Sequence, residues 1–134
     1  MSPTPASPAP DPHAAFRAAI EAGDVDAAVA LFVPDAVFHS PVAHRPYTGR
    51  EALHAVLSAV STVFEDFRYT GSYGSDDGSG DGHVLRFAAR VGDREIEGVD
   101  VLEAVDGRLT VLTVLVRPYS AATALRDRMA ALLS

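Results

Sequence analysis

The sequence predicts one α+β domain, a cone-shaped, curved antiparallel sheet packed on N-terminal helices around a pocket. Three observations predict it. Helical periodicity fills the N-terminal half, alternation with hairpin turns fills most of the rest, and one strand, VLTVLVRP, is apolar on both faces. The 134 residues suit a single domain, and the balance of 48% hydrophobic to 22% charged residues is that of a globular chain able to form a core.

Five of the nine prolines fall within the first twelve residues. Residues 1–11 are therefore read as a disordered, Pro-rich tail and residues 12–134 as the domain. Pro5 and Pro8 match a PxxP spacing but lack flanking basic residues. From Pro12 the pattern turns helical, with Phe16 and Ile20 one turn apart and Gly23 as a C-terminal stop. Asp24 is placed to cap a second helix over Val25 to Phe32, which Pro34 prevents from continuing.

Residues 36–40, AVFHS, read as a short strand closed by Pro41, and VAHRPYTG after it reads as turns. Thr48 and Glu51 have capping-box spacing for a long amphipathic helix whose stripe is Leu53, Val56, Leu57, Val60, Phe64 and Phe67. Four strands follow, over 67–73, 83–91, 94–105 and 108–117. Gly92-Asp93 and Asp106-Gly107 supply the positive φ of tight hairpins. Between the first two strands, GSYGSDDGSGDG is read as a mobile tip, since its acidic residues lack the spacing of a calcium loop. A final helix from Ser120 to Leu133 carries Leu125, Met129, Leu132 and Leu133 on one stripe.

In VLTVLVRP, Leu112, Val114 and Val116 form one face, Val111 and Leu115 the other. If the first face lines the interior, the second needs a cover. A homodimer through the sheet is the expectation.

Composition limits the function. The net charge is −7, no lysine is present and the arginines are scattered, which excludes a phosphate-tracking nucleic-acid surface and a polybasic membrane patch. With no cysteine, thiol catalysis, disulfides and thiolate metal sites are excluded. The opening residues have neither a positive n-region nor an apolar h-region, and no apolar run is long enough to span a bilayer. A cytoplasmic protein is expected.

The segments GDVDAAVALFVPDAVFHSP and PYTGREAL, in this order of elements, resemble the nuclear transport factor 2-like superfamily in its SnoaL-like and ketosteroid isomerase-like branch. The resemblance covers nearly all the chain after residue 12. It implies a cone with a pocket for a small apolar molecule, either a cofactor-free acid/base enzyme of isomerase, cyclase or dehydratase type or a non-catalytic dimeric binding or interaction module. Compared with the isomerase pattern, Ser40 stands in the place of the general base and Phe16 in the place of the helix tyrosine. Asp100 falls on the protonated aspartate. A true ketosteroid isomerase is disfavoured on these departures, because proton transfer beside a carbonyl needs both a base and a donor. Gly98 occupies the place of the arginine of an epoxide hydrolase's Asp-Arg-Asp set.

Asp100 stands in an apolar strand with Ile96 and Leu102, where a carboxylate is costly unless protonated or paired. It is either a pocket acid or base, or a strand carboxylate paired with Arg86 or Arg117. His39 is the other candidate base, and alternation from Ser40 argues that it faces outward and bonds to backbone instead. Candidate ligand contacts are Phe16, Ser40, His44, Tyr47, Leu102, Leu112 and Val114. His39 and His44 lie five apart on a proline-broken loop and make no metal site; neither metal nor cofactor is expected.

Overall fold

The computed structural model describes residues 11–74 and 82–133. The predicted tail, apart from Asp11, and the centre of the predicted Gly- and Asp-rich tip lie outside the described residues.

Helix α1 (Pro12–Glu21) begins with Pro at its first position, and the Asp11 carboxylate accepts from the His13 amide at 3.0 Å. It stops at Gly23, whose φ of 72° is the left-handed conformation expected of a C-terminal glycine. Helix α2 (Val25–Ala30) is capped by Asp24, which accepts from the Ala27 amide at 3.0 Å. It is shorter than predicted. Strand β1 (Phe32–His39) begins at Phe32 and carries Pro34 and Asp35 in an irregular stretch where the register shifts.

Thr48 does not cap the long helix. With Tyr47 it forms β2 (Tyr47–Thr48), paired with Phe38 and Val37, and Gly49 takes the cap position at φ 98° without a side-chain bond. Helix α3 (Arg50–Val63) ends before the two phenylalanines that the predicted stripe included. Phe64 is already extended, at φ −73° and ψ 131°, and Phe67 lies in β3 (Glu65–Gly74).

Strands β4 (Gly82–Val91), β5 (Arg94–Val105) and β6 (Arg108–Arg117) complete the sheet, and α4 (Tyr119–Leu133) crosses it. The strand order is β2-β1-β6-β5-β4-β3, an open sheet of six strands. All neighbours are antiparallel except β1 and β6, which run parallel. Asp106 and Gly107 both take positive φ in the β5–β6 hairpin.

The core lies between the concave face and the helices, with Phe16, Phe32, Leu53, Phe87 and Leu109 almost fully buried. In α4 the buried stripe is Ala121, Leu125 and Met129; Leu132 and Leu133 remain exposed in the last turn. No described helix is long and apolar enough to cross a membrane. The arrangement is the cone fold that the sequence predicts.

Candidate functional site

Alternation along β5 turns Ile96, Asp100, Leu102 and Ala104 to the concave face, so Asp100 is carried inward with apolar neighbours and is only 8% exposed. On β3, two register shifts flank the segment from Arg68 to Tyr69, and bulges of this kind bend a strand and re-aim its side chains. Tyr69 reaches over β4 from there. Its hydroxyl donates to Asp100 Oδ2 at 2.9 Å.

Burial pushes the Asp100 carboxyl up to about 7, against the lowering effect of the Tyr69 hydrogen bond. Tyr69 is raised far above the ordinary phenol, first by its own burial and then by the charge of Asp100. The phenol therefore stays protonated, and Asp100 is the member of the pair that titrates. Arg17, on α1, places its guanidinium over the Tyr69 ring with Cζ 5.5 Å from the centroid, and pairs with Glu21 at 3.4 Å.

The pair stands in the wall of a cavity of about 580 Å³ lined by the sheet, α1, α3 and α4. Phe16, Phe38, Phe64, Phe67 and Phe87 supply most of its aromatic surface, and Leu125 and Met129 of α4 add to its lining. Phe67 links its neighbours, stacked with Phe64 at 5.8 Å and Phe87 at 5.2 Å and edge-on to Tyr69 at 5.0 Å. Exposed Glu21, Asp24, Ser61 and Arg68 also line it. Apolar walls with few polar groups suit a small, largely apolar ligand.

Of the residues singled out in the sequence, Phe16, Ser40, Asp100, Leu112 and Val114 line this cavity. His39, His44, Tyr47 and Leu102 do not. His39 is exposed and stands opposite Thr113, because alternation gives the inward position to Phe38. His44 is exposed in the loop before β2. Tyr47 is half-buried with its ring 6.1 Å from that of Phe38. Leu102 is fully buried in the core against the row that holds Leu112.

Asp100 does not pair with Arg86 or Arg117. Both arginines lie on the other face of the sheet and converge on Glu97, Arg86 at 3.2 Å. Among the described residues no group of three metal-ligating side chains comes together. The residue that sequence reasoning misses is Tyr69. Its signal is the alternation Phe67, Tyr69 within the predicted strand over 67–73, which puts the phenol on the same face as Phe67.

The family model described as the SnoaL-like domain matches residues 13–112. Among solved structures, the chain is similar to the steroid delta-isomerase of Pseudomonas aeruginosa, at 40% identity over 92% of each chain with a TM-score of 0.84. A second is an uncharacterized bacterial protein with a cystatin-like fold from Silicibacter pomeroyi, 31% identical over 94% of this chain and 86% of the other, TM-score 0.83. A third is SalBIII, an epoxide hydrolase/cyclase-like enzyme in pyran ring formation in the polyether salinomycin. It shares 20% identity over 83% of this chain and 91% of the other, TM-score 0.66. No curated protein matches the chain.

Proposed function

The chain belongs to the SnoaL-like domain family, within the nuclear transport factor 2-like superfamily, and from its cavity we propose that it is an enzyme of isomerase or cyclase type that moves a proton on a small apolar substrate. The observation that carries this reading is the Tyr69–Asp100 hydrogen bond in the wall of an aromatic cavity.

A carboxyl titrating at about 7 is matched to both halves of a proton transfer near neutral pH. Ionised, Asp100 accepts a proton on the oxygen that Tyr69 leaves free; protonated, it returns that proton to another atom of the same substrate. Tyr69 keeps one carboxyl oxygen occupied and fixes the direction of the other. The step uses protein groups alone. The similarity to a steroid delta-isomerase and, more distantly, to a cyclase-like enzyme supports this class of reaction. In this chain Phe16 and Ser40 hold the places of two isomerase groups, so the proton transfer is assigned to Asp100 itself.

Exchange of the α-hydrogens of 2-tetralone in D2O, followed by proton NMR, tests the assignment. The wild-type protein is expected to exceed buffer, with a rate that rises as pH climbs through about 7 and Asp100 ionises. Asp100→Asn is expected to lose ~100-fold or more of that rate, the usual weight of a positioned base. Binding of 2-tetralone without exchange would instead favour a ligand-binding module.

A second copy of the chain is the proposed partner. The convex face sets Val84, Val101 and Thr113 in one row and Val99 and Leu115 in the next. Leu115 is 57% exposed. Beside these rows the Arg86–Glu97–Arg117 cluster carries both signs of charge, as a self-complementary contact about a two-fold axis requires.

A further inference from the structure

Resting on the proton-transfer reading above, we propose that Ser40 binds the oxygen of an enolisable ketone, so that the base stands on β5 and the hydrogen-bond donor at the end of β1. This reverses the assignment that the isomerase pattern makes for these two positions.

Two backbone amides hold the Ser40 hydroxyl. Its Oγ accepts from the Val42 amide at 3.1 Å and from the Ala43 amide at 3.2 Å. A hydroxyl has two acceptor sites and one proton, so both acceptor sites are engaged and only the proton remains to offer. Among the described residues it is donated to no protein acceptor. Ser40 lines the cavity. A hydroxyl in this state is a poor base, and the two amides that draw on its oxygen make it a stronger donor.

His39 of β1 is opposite Thr113 of β6, and Val114 of β6 is opposite Asp100 of β5. Ser40, one residue beyond His39, therefore continues the row that runs through Val114 to Asp100. Two strand spacings place the backbones of Ser40 and Asp100 ~10 Å apart. Both side chains and Val114 face the same cavity. A carbonyl compound fits between them with its α-carbon at Asp100, its carbonyl oxygen at Ser40 and its body against Val114.

When Asp100 removes an α-hydrogen as a proton, the C–H electron pair becomes the new C=C bond and the carbonyl π pair moves onto oxygen. That oxygen needs a donor at that moment. Tyr69 has one proton, and it is held on Asp100. The Ser40 proton is the uncommitted one on the same row. Return of the proton from Asp100 to the same carbon, or to the far carbon of a conjugated enolate, restores the carbonyl and leaves every atom and electron accounted for.

The 2-tetralone exchange assay separates this inference from the reading it rests on. Ser40→Ala is expected to lower kcat for exchange by ~100-fold with KM little changed, the usual cost of removing one donor to a developing oxyanion. Ser40→Thr keeps the hydroxyl and is expected to restore most of the rate. A melting curve checks that each variant folds. Should Ser40→Ala fail to fold, Ser40→Cys retains an acceptor for the two amides but donates weakly, and is expected to show the same loss. Wild-type rates in a folded Ser40→Ala or Ser40→Cys, with Asp100→Asn inactive, would overturn the role of Ser40 and leave Asp100 as the base. No exchange by the wild-type protein would overturn both.

Discussion

Tyr69 holds Asp100 by one hydrogen bond, and that bond opposes the burial that raises the carboxyl. The consequence for pH has a definite sign. Tyr69→Phe removes the group that stabilises the charged form, so the Asp100 pKa rises further and a larger share of the protein is protonated at neutral pH. Where the carboxylate is the active base, the pH–rate midpoint for tetralone exchange is expected to move above the wild-type position near 7, with a lower rate at pH 7 and partial recovery at higher pH. A loss of rate equal at every pH, with an unmoved midpoint, would assign Tyr69 to packing alone. At this scale the sequence is informative about Asp100 and silent about its partner. An isolated aspartate in the strand GVDVLE violates the apolar pattern and is conspicuous for that reason. Tyr69 obeys the pattern, since a tyrosine in a strand needs no special explanation. The bulges of β3 and the curvature of the sheet, a property of three strands together, bring its hydroxyl to β5.

At the scale of elements, the same difficulty attends Phe64 and Phe67, which helical periodicity adds to the stripe of α3 although Phe67 also opens the predicted strand over 67–73; the fold puts both beyond the helix. Their three-residue spacing continues the stripe of α3, whereas in a regular strand it would turn the two rings to opposite faces. The chain leaves the helix at Phe64, and Asp66, with φ of 53°, sets the bend into β3. Thr48 likewise has capping-box spacing but is drawn into pairing with Val37, so tertiary contact outweighs a local cap. Where conformation is set by one residue, as at Gly23 and at Asp106-Gly107, sequence and structure agree. Gly98 adds a constraint that spacing alone does not reveal. A Cβ there would run into the Leu115 carbonyl oxygen and lie 2.8 Å from Phe87 Cζ. The carbonyl belongs to the neighbouring backbone and cannot swing aside, while Phe87 is part of the cavity wall. Gly98→Ala is therefore expected to destabilise the fold by roughly 1–3 kcal/mol, the range for overpacking, as read from urea unfolding. It is also expected to weaken 2-tetralone binding, because the displaced ring moves toward the ligand space. An unchanged unfolding midpoint would show that β5 and β6 can separate to admit the methyl group.

For the whole molecule, the sheet has two faces with different needs. The concave face is covered by α1, α3 and α4 and holds the cavity. The convex face carries Val84, Val99, Val101, Val111 and Leu115 beside the Glu97-centred ion cluster. The apolar character of both faces of β6 is legible in VLTVLVRP itself, whereas the route by which β1 comes to lie parallel beside it is not. That pairing joins residues some seventy positions apart, and no local pattern encodes it. The proposed second copy gives the convex face a specific, measurable consequence. Light scattering coupled to size exclusion is expected to return twice the chain mass for the wild-type protein. Leu115→Arg places a charge among the exposed convex rows, where the proposed two-fold contact would bring it against its own copy, and is expected to return the mass of one chain. Because Leu115 points away from the cavity, tetralone binding by the variant separates interface loss from unfolding. A wild-type protein that stays at one chain mass across accessible concentrations would leave the convex valines without a second copy to cover them and defeat the dimer. A variant that dissociates yet still binds the ketone would establish the two faces as independent, one for self-association and one for chemistry.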